Sequence, residues 1–74
     1  DAAMMYIIGE KVEPSGAATV SVANLISQGY LKADADGKGP KYQSGTNAGV
    51  EMEVSASYDS TNKKWEITVS PKTP

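Results

Sequence analysis

The segment that decides the fold is VEMEVSASYDSTNKKWEITVS, residues 50–70. In its first half, apolar side chains alternate with Glu and Ser, and the second half repeats this alternation from Trp65 to Ser70. Strict period two is typical of a β-strand with one face on the core and the other in water. The turn-forming residues DSTN, 59–62, separate the halves, so the segment predicts an antiparallel β-hairpin.

A turn centred on Ser60 and Thr61 gives this hairpin a definite register that keeps all apolar side chains on one face. The predicted pairs are Ala56 with Trp65, Val54 with Ile67, and Met52 with Val69. Pro71 and Pro74 are expected to end the second strand, because proline has no N–H for the ladder.

The apolar face of the hairpin needs a cover, since an isolated two-stranded hairpin is marginal in water. Residues 2–11 predict a helix that supplies it, with Asp1 as N-cap and Gly9 as the stop. Tyr6 lies off the predicted inward face. That face has three apolar residues at i, i+3 and i+4: Met4, Ile7 and Ile8.

A second, shorter helix is predicted within TVSVANLISQG, residues 19–29, after the turn-rich break VEPSGAA at 12–18. Thr19 or Ser21 can serve as its N-cap. The helix has three apolar residues on one face: Val22, Leu25 and Ile26.

The stretch NLISQGYLK, residues 24–32, predicts how this second helix ends. Gly29 falls where a left-handed C′ residue is wanted. In such a cap the following residues fold back onto the last turn, so Tyr30 and Leu31 are expected to pack against the core.

Residues 33–49, ADADGKGPKYQSGTNAG, predict a long polar loop, exposed and functional or mobile. Asp34 and Asp36 give it a faint likeness to a calcium loop, but the closing glutamate of an EF-hand is missing. Its glycines do not fit a phosphate-binding loop. Tyr42 lies in a possible short edge strand and is the aromatic residue best placed for contact with a partner.

Composition excludes several classes of chemistry. The 74 residues contain no cysteine and no histidine, which rules out disulfides, zinc clusters and histidine acid–base catalysis. The seven basic residues are all lysines and the net charge is −2, so nucleic acid is not expected as a partner. No apolar run reaches the roughly 20 residues of a membrane span.

The opening at Asp1 suggests a processed or truncated chain, or a recombinant fragment cut at an arbitrary residue.

An enzyme and a binding module are two functional classes that some of these residues would fit. Glu51 and Glu53 lie on one face of a strand about 7 Å apart, within glycosidase spacings. Alternating Glu, Ser and Thr also describe a solvated sheet face, and we expect no enzyme, catalytic residue, metal or cofactor. A small extracellular carbohydrate- or protein-binding module is the alternative, with four aromatic residues as candidate contacts: Tyr30, Tyr42, Tyr58 and Trp65. Trp65 shares the parity of Ile67, which favours a core position.

The order of these elements resembles that of type IV pilins and pseudopilins. AAMMYIIGE, residues 2–10, is similar to the tyrosine-bearing end of a pilin α1 helix, and LISQGYL, 25–31, resembles the turn of the connecting region. The lack of cysteine is more similar to Gram-positive, clostridia-like pilins. The prepilin cleavage site, the first phenylalanine and the nearby glutamate of the family would all lie upstream of Asp1.

The resemblance implies an α+β fold in one pilin-like headgroup domain, residues 1–74. Residues 1–11 would be the C-terminal part of a long N-terminal helix, 12–49 a connecting αβ region with the short second helix, and 50–70 a β-hairpin packed on the first helix. The apolar residues expected under the sheet are Met4, Met5, Tyr6, Ile7 and Ile8.

The implied function is that of a structural subunit of a type IV pilus or related filament. Such filaments support adhesion, surface motility, biofilm formation, DNA uptake or protein secretion. The implied partners are copies of itself and other pilins, and the membrane before assembly, through an N-terminal hydrophobic helix that these residues lack. The implied location is the extracellular cell surface, and no small-molecule substrate is expected.

Overall fold

The protein has an α+β fold, which a computed structural model describes for residues 1–73. Pro74, which was expected to help end the second strand, lies outside the described residues. The elements in chain order are α1 (Ala2–Gly9), a 3-10 helix η1 (Pro14–Thr19), α2 (Val22–Ser27), β1 (Met52–Asp59) and β2 (Lys64–Pro71). The two strands form one antiparallel sheet.

Helix α1 begins where the sequence predicts, but it buries a different face. The Asp1 carboxylate accepts a hydrogen bond of 2.8 Å from the Met4 N–H, which confirms the N-cap. The predicted inward stripe is wrong at Ile8, whose side chain is 71% exposed, and Met5 is 61% exposed. The face that is buried also has i, i+3, i+4 spacing and consists of Ala3, Tyr6 and Ile7.

The end of α1 is a Schellman motif with a lysine in the glycine position. The Val12 N–H donates to the Ile7 carbonyl at 3.0 Å, and the Lys11 N–H donates to the Ile8 carbonyl at 3.3 Å. Lys11 has a φ of 53°, the left-handed region that non-glycine residues rarely adopt. The helix therefore ends at Gly9, the residue predicted as its stop, although the predicted helical segment extends to residue 11.

The segment after α1 is more regular than the sequence suggests. PSGAAT forms the six-residue 3-10 helix η1 with its proline at the start, where a missing N–H does no harm. The Thr19 hydroxyl donates to the Gly16 carbonyl at 2.8 Å, within the last turn of η1. Val20, directly after η1, is buried in the core.

Helix α2 confirms the predicted cap at both ends. Ser21 is its N-cap, with Oγ accepting from the Asn24 N–H at 3.2 Å. Gly29 has a φ of 84°. The Tyr30 N–H donates to the Leu25 carbonyl at 2.8 Å and the Gly29 N–H to the Ile26 carbonyl at 3.1 Å, which completes a Schellman motif.

The hairpin forms as predicted, but its register is shifted by two residues. The apolar pairs are Tyr58 with Trp65, Ala56 with Ile67, and Val54 with Val69. The shift arises because the loop spans the four residues 60–63. The Asp59 carboxylate accepts hydrogen bonds from the N–H groups of Thr61 and Asn62, and Lys63 closes the loop with a φ of 54°.

The polar loop 33–49 is partly tied to the sheet. Lys41 forms an isolated antiparallel bridge with Glu51. On either side of it, the Met52 N–H donates to the Pro40 carbonyl at 2.8 Å and the Tyr42 N–H to the Val50 carbonyl at 3.0 Å. The possible edge strand around Tyr42 is thus a single bridge at the start of β1.

The core is small and lies between the helices and one face of the sheet. Its buried residues are Ala3, Tyr6, Ile7, Val20 and Leu25. Half-buried side chains of the sheet, including Val54, Trp65 and Ile67, pack around them. Helix α1 contacts α2 and β2, whereas α2 and η1 contact β1. Leu31 also packs against this core, as predicted from its place after Gly29.

Candidate functional surfaces

The exit of α2 is fixed to the end of α1 by one tyrosine. The ring of Tyr30 lies edge-on to that of Tyr6, with centroids 5.6 Å apart and an interplanar angle of 85°. A side chain at Gly9 would clash with the Tyr30 phenol, so the ring lies directly over the helix backbone. The Tyr30 hydroxyl donates to Glu10 Oε2 at 2.9 Å. We call this set, Tyr30 with Tyr6, Gly9 and Glu10, the Tyr30 contact.

The carboxylate of Glu10 raises the pKa of Tyr30 above its usual value, because the hydrogen bond it accepts requires the protonated phenol. The sequence predicts that Tyr30 packs onto the core. It does not predict that Tyr30 packs on α1, since Gly9 and Tyr30 are far apart in the chain. The glycine that was interpreted only as a helix stop also provides the flat surface for this ring.

An apolar surface on α1 faces away from the core. Met5 and Ile8 lie at i and i+3, so both project from the same side of the helix. Both are exposed large hydrophobic residues, a property they share with Val69 of β2. A pair of exposed apolar side chains on one helix side is suited to packing against another helix.

The two aspartates of the suspected calcium loop are bound to a lysine. Lys41 Nζ lies 2.7 Å from Asp36 Oδ2 and 3.3 Å from Asp34 Oδ2. The hydrogen bond from Lys41 lowers the pKa of Asp36 and correspondingly raises the pKa of Lys41. In the described chain, no group of three or more acidic side chains could hold a metal ion. The ammonium group therefore occupies the position between the carboxylates that a cation would take.

The two glutamates considered as a catalytic pair have different surroundings. Glu51 Oε2 lies 3.2 Å from Lys72 Nζ, at the rim of an open depression of about 520 Å³ that Lys38 also lines. Glu53 is exposed, and both glutamates line a smaller cleft of about 190 Å³ together with Ser21. The two carboxylates therefore differ in their immediate partners, since the salt bridge with Lys72 involves Glu51.

The aromatic residues of the sheet pack on each other. The rings of Tyr58 and Trp65, which are cross-strand partners, lie 5.4 Å apart at an angle of 68°. Trp65 is half-buried and packs against the core, which agrees with the core position inferred from its parity. Tyr42 is half-buried beside the bridge to β1.

An apolar cleft of about 180 Å³, which the sequence does not reveal, lies between the start of α1 and the sheet. Ala3 and Leu25 line one side, and Ile67 and Val69 line the other. Its lining side chains come from both helices, the loop 33–49 and both strands, so no local pattern in the sequence marks it. Val69 is the lining residue that is also exposed at the sheet edge.

No helix in residues 1–73 has the length and apolar character needed to cross a membrane. No family model matches the sequence, and no curated protein or solved structure matches it either. Function is therefore inferred from the residues of the chain and their geometry.

Proposed function

We propose that this chain is the headgroup of a type IV pilin-like filament subunit at the cell surface. The filament would serve adhesion, surface motility, biofilm formation or DNA uptake. The observation that carries the proposal is the Tyr30 contact, which binds the LISQGYL turn to the end of α1. The contact joins the two segments that carry the family resemblance, residues 2–10 and 25–31.

The Tyr30 contact suits a subunit whose helix and headgroup must move as one body. It joins the two parts by an aromatic contact, a hydrogen bond and close approach to Gly9. The Schellman motif at Gly29 sets the direction in which Tyr30 leaves α2. The hairpin then packs on the same core, so the sheet and helix hold a fixed relation.

The exposed apolar side of α1 supplies a surface for assembly. In the proposed filament, α1 is the end of a longer apolar helix that anchors the subunit in the membrane before assembly. Met5 and Ile8 would then pack against helices of neighbouring copies or other pilins, while the polar loop 33–49 faces outward. Burying both side chains would remove apolar surface from water.

The test uses the complete gene in the source cell. Ile8→Glu places a charge in the proposed helix packing surface and is expected to abolish surface filaments seen by electron microscopy. Thr68→Glu, on the solvated face of the sheet, is the matched control and should leave filaments at the wild-type level. Both isolated headgroups should show wild-type circular dichroism, because both side chains are exposed.

Wild-type filament numbers with Ile8→Glu would contradict the proposal. A coding sequence upstream of Asp1 without a basic leader and about 20 apolar residues would contradict it independently.

A further inference from the structure

The outer edge of β2 carries a row of unpaired backbone groups. The Lys72 N–H donates to the Glu51 carbonyl at 2.9 Å, which makes these residues a hydrogen-bonded pair of the antiparallel ladder. Such pairs alternate along two strands. The hydrogen-bonded positions of β2 are therefore even-numbered, and three odd-numbered residues direct their N–H and C=O groups away from β1: Trp65, Ile67 and Val69.

The opposite edge of the sheet is partly covered. At the start of β1, the Met52 N–H donates to Pro40, and η1 packs against the strand. In the two-stranded sheet of residues 1–73, β2 has β1 as its partner on one side and no strand on the other. The more open edge is therefore that of β2.

This edge has a lysine, a glutamate and a terminal proline that oppose pairing with another chain, but its central residues are open to a further strand. β2 is eight residues long and its pairing with β1 runs without a bulge. Its only charged residues are Lys64 and Glu66. Val69, at 53% exposure, adds apolar surface next to the free N–H groups.

We propose that two copies of this chain pair through β2, antiparallel, about a two-fold axis at Ile67. Ile67 then lies opposite Ile67 of the second copy, and Trp65 lies opposite Val69. All three outward N–H groups of each copy find carbonyl acceptors, and the result is a continuous four-stranded sheet. The exposed side chain of Val69, at the apolar cleft, becomes covered by Trp65 of the second copy.

The register follows from the sequence of β2. In this arrangement Lys64 faces Ser70 and Glu66 faces Thr68, so no like charges lie directly opposite. A shift that places Ile67 opposite Pro71 loses a donor in each copy, because proline has no N–H. Of the available registers, the one centred on Ile67 uses every outward donor of the strand.

This inference goes beyond the proposed function and does not depend on it. Copies within one polar filament all point the same way, and a two-fold pair cannot form between them. In the filament proposal, the β2 pair would join two filaments that run in opposite directions. The pairing test uses the 74-residue chain and the filament test uses the complete gene. Either proposal can therefore fail while the other holds.

The first test measures association by analytical ultracentrifugation over a range of concentrations. The wild type is expected to form dimers, and Val69→Lys should raise the dissociation constant at least tenfold, because a lysine on an edge strand opposes pairing. Ser55→Lys adds the same charge on the exposed face of β1 and should leave the dissociation constant unchanged. A wild type that stays monomeric at every concentration, with a folded circular dichroism spectrum, would overturn the proposal.

The second test reads the register by cross-linking, for which the cysteine-free chain gives a clean background. Glu66 and Thr68 of opposite copies form a non-hydrogen-bonded pair, with Cα atoms about 4.5 Å apart, close enough for a disulfide. Glu66→Cys mixed with Thr68→Cys should cross-link at least tenfold faster than either variant alone, since identical positions lie about 7–8 Å apart. Equal rates in all three samples would overturn this register.

Discussion

Both helices end in the same motif, and the two ends differ in the residue that takes the left-handed position. Gly29 closes α2 with a φ of 84°, and Lys11 closes α1 with a φ of 53°. Exchanging the residue type at each end should therefore change stability in opposite directions. Gly29→Ala and Lys11→Gly test this as a pair.

The change in unfolding free energy expected for Gly29→Ala comes from backbone conformation alone. A methyl group built at Gly29 meets no heavy atom within 4 Å, so no steric clash contributes. A left-handed alanine costs about 1–2 kcal/mol. The stiffer unfolded chain returns about 0.4–1 kcal/mol, which leaves a destabilisation of about 1 kcal/mol. In a domain of this size, that corresponds to a fall in Tm of about 4–8 °C.

In Lys11→Gly, the cost of the left-handed conformation and the effect on the unfolded chain both change sign. Glycine removes the strain of a left-handed lysine but makes the unfolded chain more flexible. The difference stabilises the fold by about 0.5–1 kcal/mol, for a rise in Tm of a few degrees. The hydrogen bonds of the motif come from the backbone and are unchanged.

Urea and thermal unfolding followed by circular dichroism measure both changes. Gly16→Ala is the control, because its φ is not in the left-handed region and its new methyl would lie 3.5 Å from Val12 Cγ1, an ordinary contact. It should change stability by less than about 0.5 kcal/mol or raise it slightly. A neutral Gly29→Ala, or a destabilising Lys11→Gly, would refute the assignment of these two residues to the caps.

Three further predictions concern the core and the titratable groups. Leu25→Ala removes a fully buried side chain and should destabilise by about 2–5 kcal/mol in urea unfolding, a large part of the stability of so small a domain. Hydrogen bonds from Asn62 are the main cause that lowers the pKa of Asp59. The Asp59 carboxylate therefore stabilises the fold near neutral pH, and this stabilisation is lost as pH falls below about 4. Asp59→Asn should flatten that part of the curve of unfolding free energy against pH. The pKa of Tyr30 is raised by Glu10, so stability falls as pH rises through the range above about 10, and Glu10→Gln should lower that pKa in an ultraviolet titration.

The alternation in residues 50–70 correctly predicts the hairpin and its faces, but it cannot define the register. A shift of two residues keeps every side chain on its face, so both registers fit the pattern equally well. The choice depends on the loop. Asp59 binds the N–H groups of Thr61 and Asn62, and Lys63 adopts a left-handed conformation, which adds Asn62 and Lys63 to the turn predicted at Ser60 and Thr61.

The buried face of α1 is also beyond the reach of the local pattern. Ala2 to Ile8 are nearly all apolar, so no charged residue marks the solvent side. Two different stripes satisfy the same i, i+3, i+4 spacing. Tertiary contact with Tyr30 selects the stripe that contains Tyr6. η1 was missed for a related reason, since a short 3-10 helix has no long hydrophobic period to detect.

The candidate surfaces also differ in whether a local sequence pattern or the tertiary structure determines them. The folding back of Tyr30 after Gly29 depends on a local cap, and the sequence predicts it. The pairing of Asp34 and Asp36 with Lys41 depends on how an irregular loop folds, and the sequence gives no spacing that indicates it. The more open edge of the sheet, that of β2, becomes visible only when the partner of each strand is known.

The Tyr30 contact and the exposed side of α1 have one cause. A helix of nearly uniform apolar character can turn about its axis with little change in the apolar area that it buries. The ring of Tyr30 needs both the edge of Tyr6 and the open backbone at Gly9, and α1 provides the two together in one orientation. That orientation leaves Met5 and Ile8 outside. Tyr30 thus also determines which apolar side chains of α1 remain exposed.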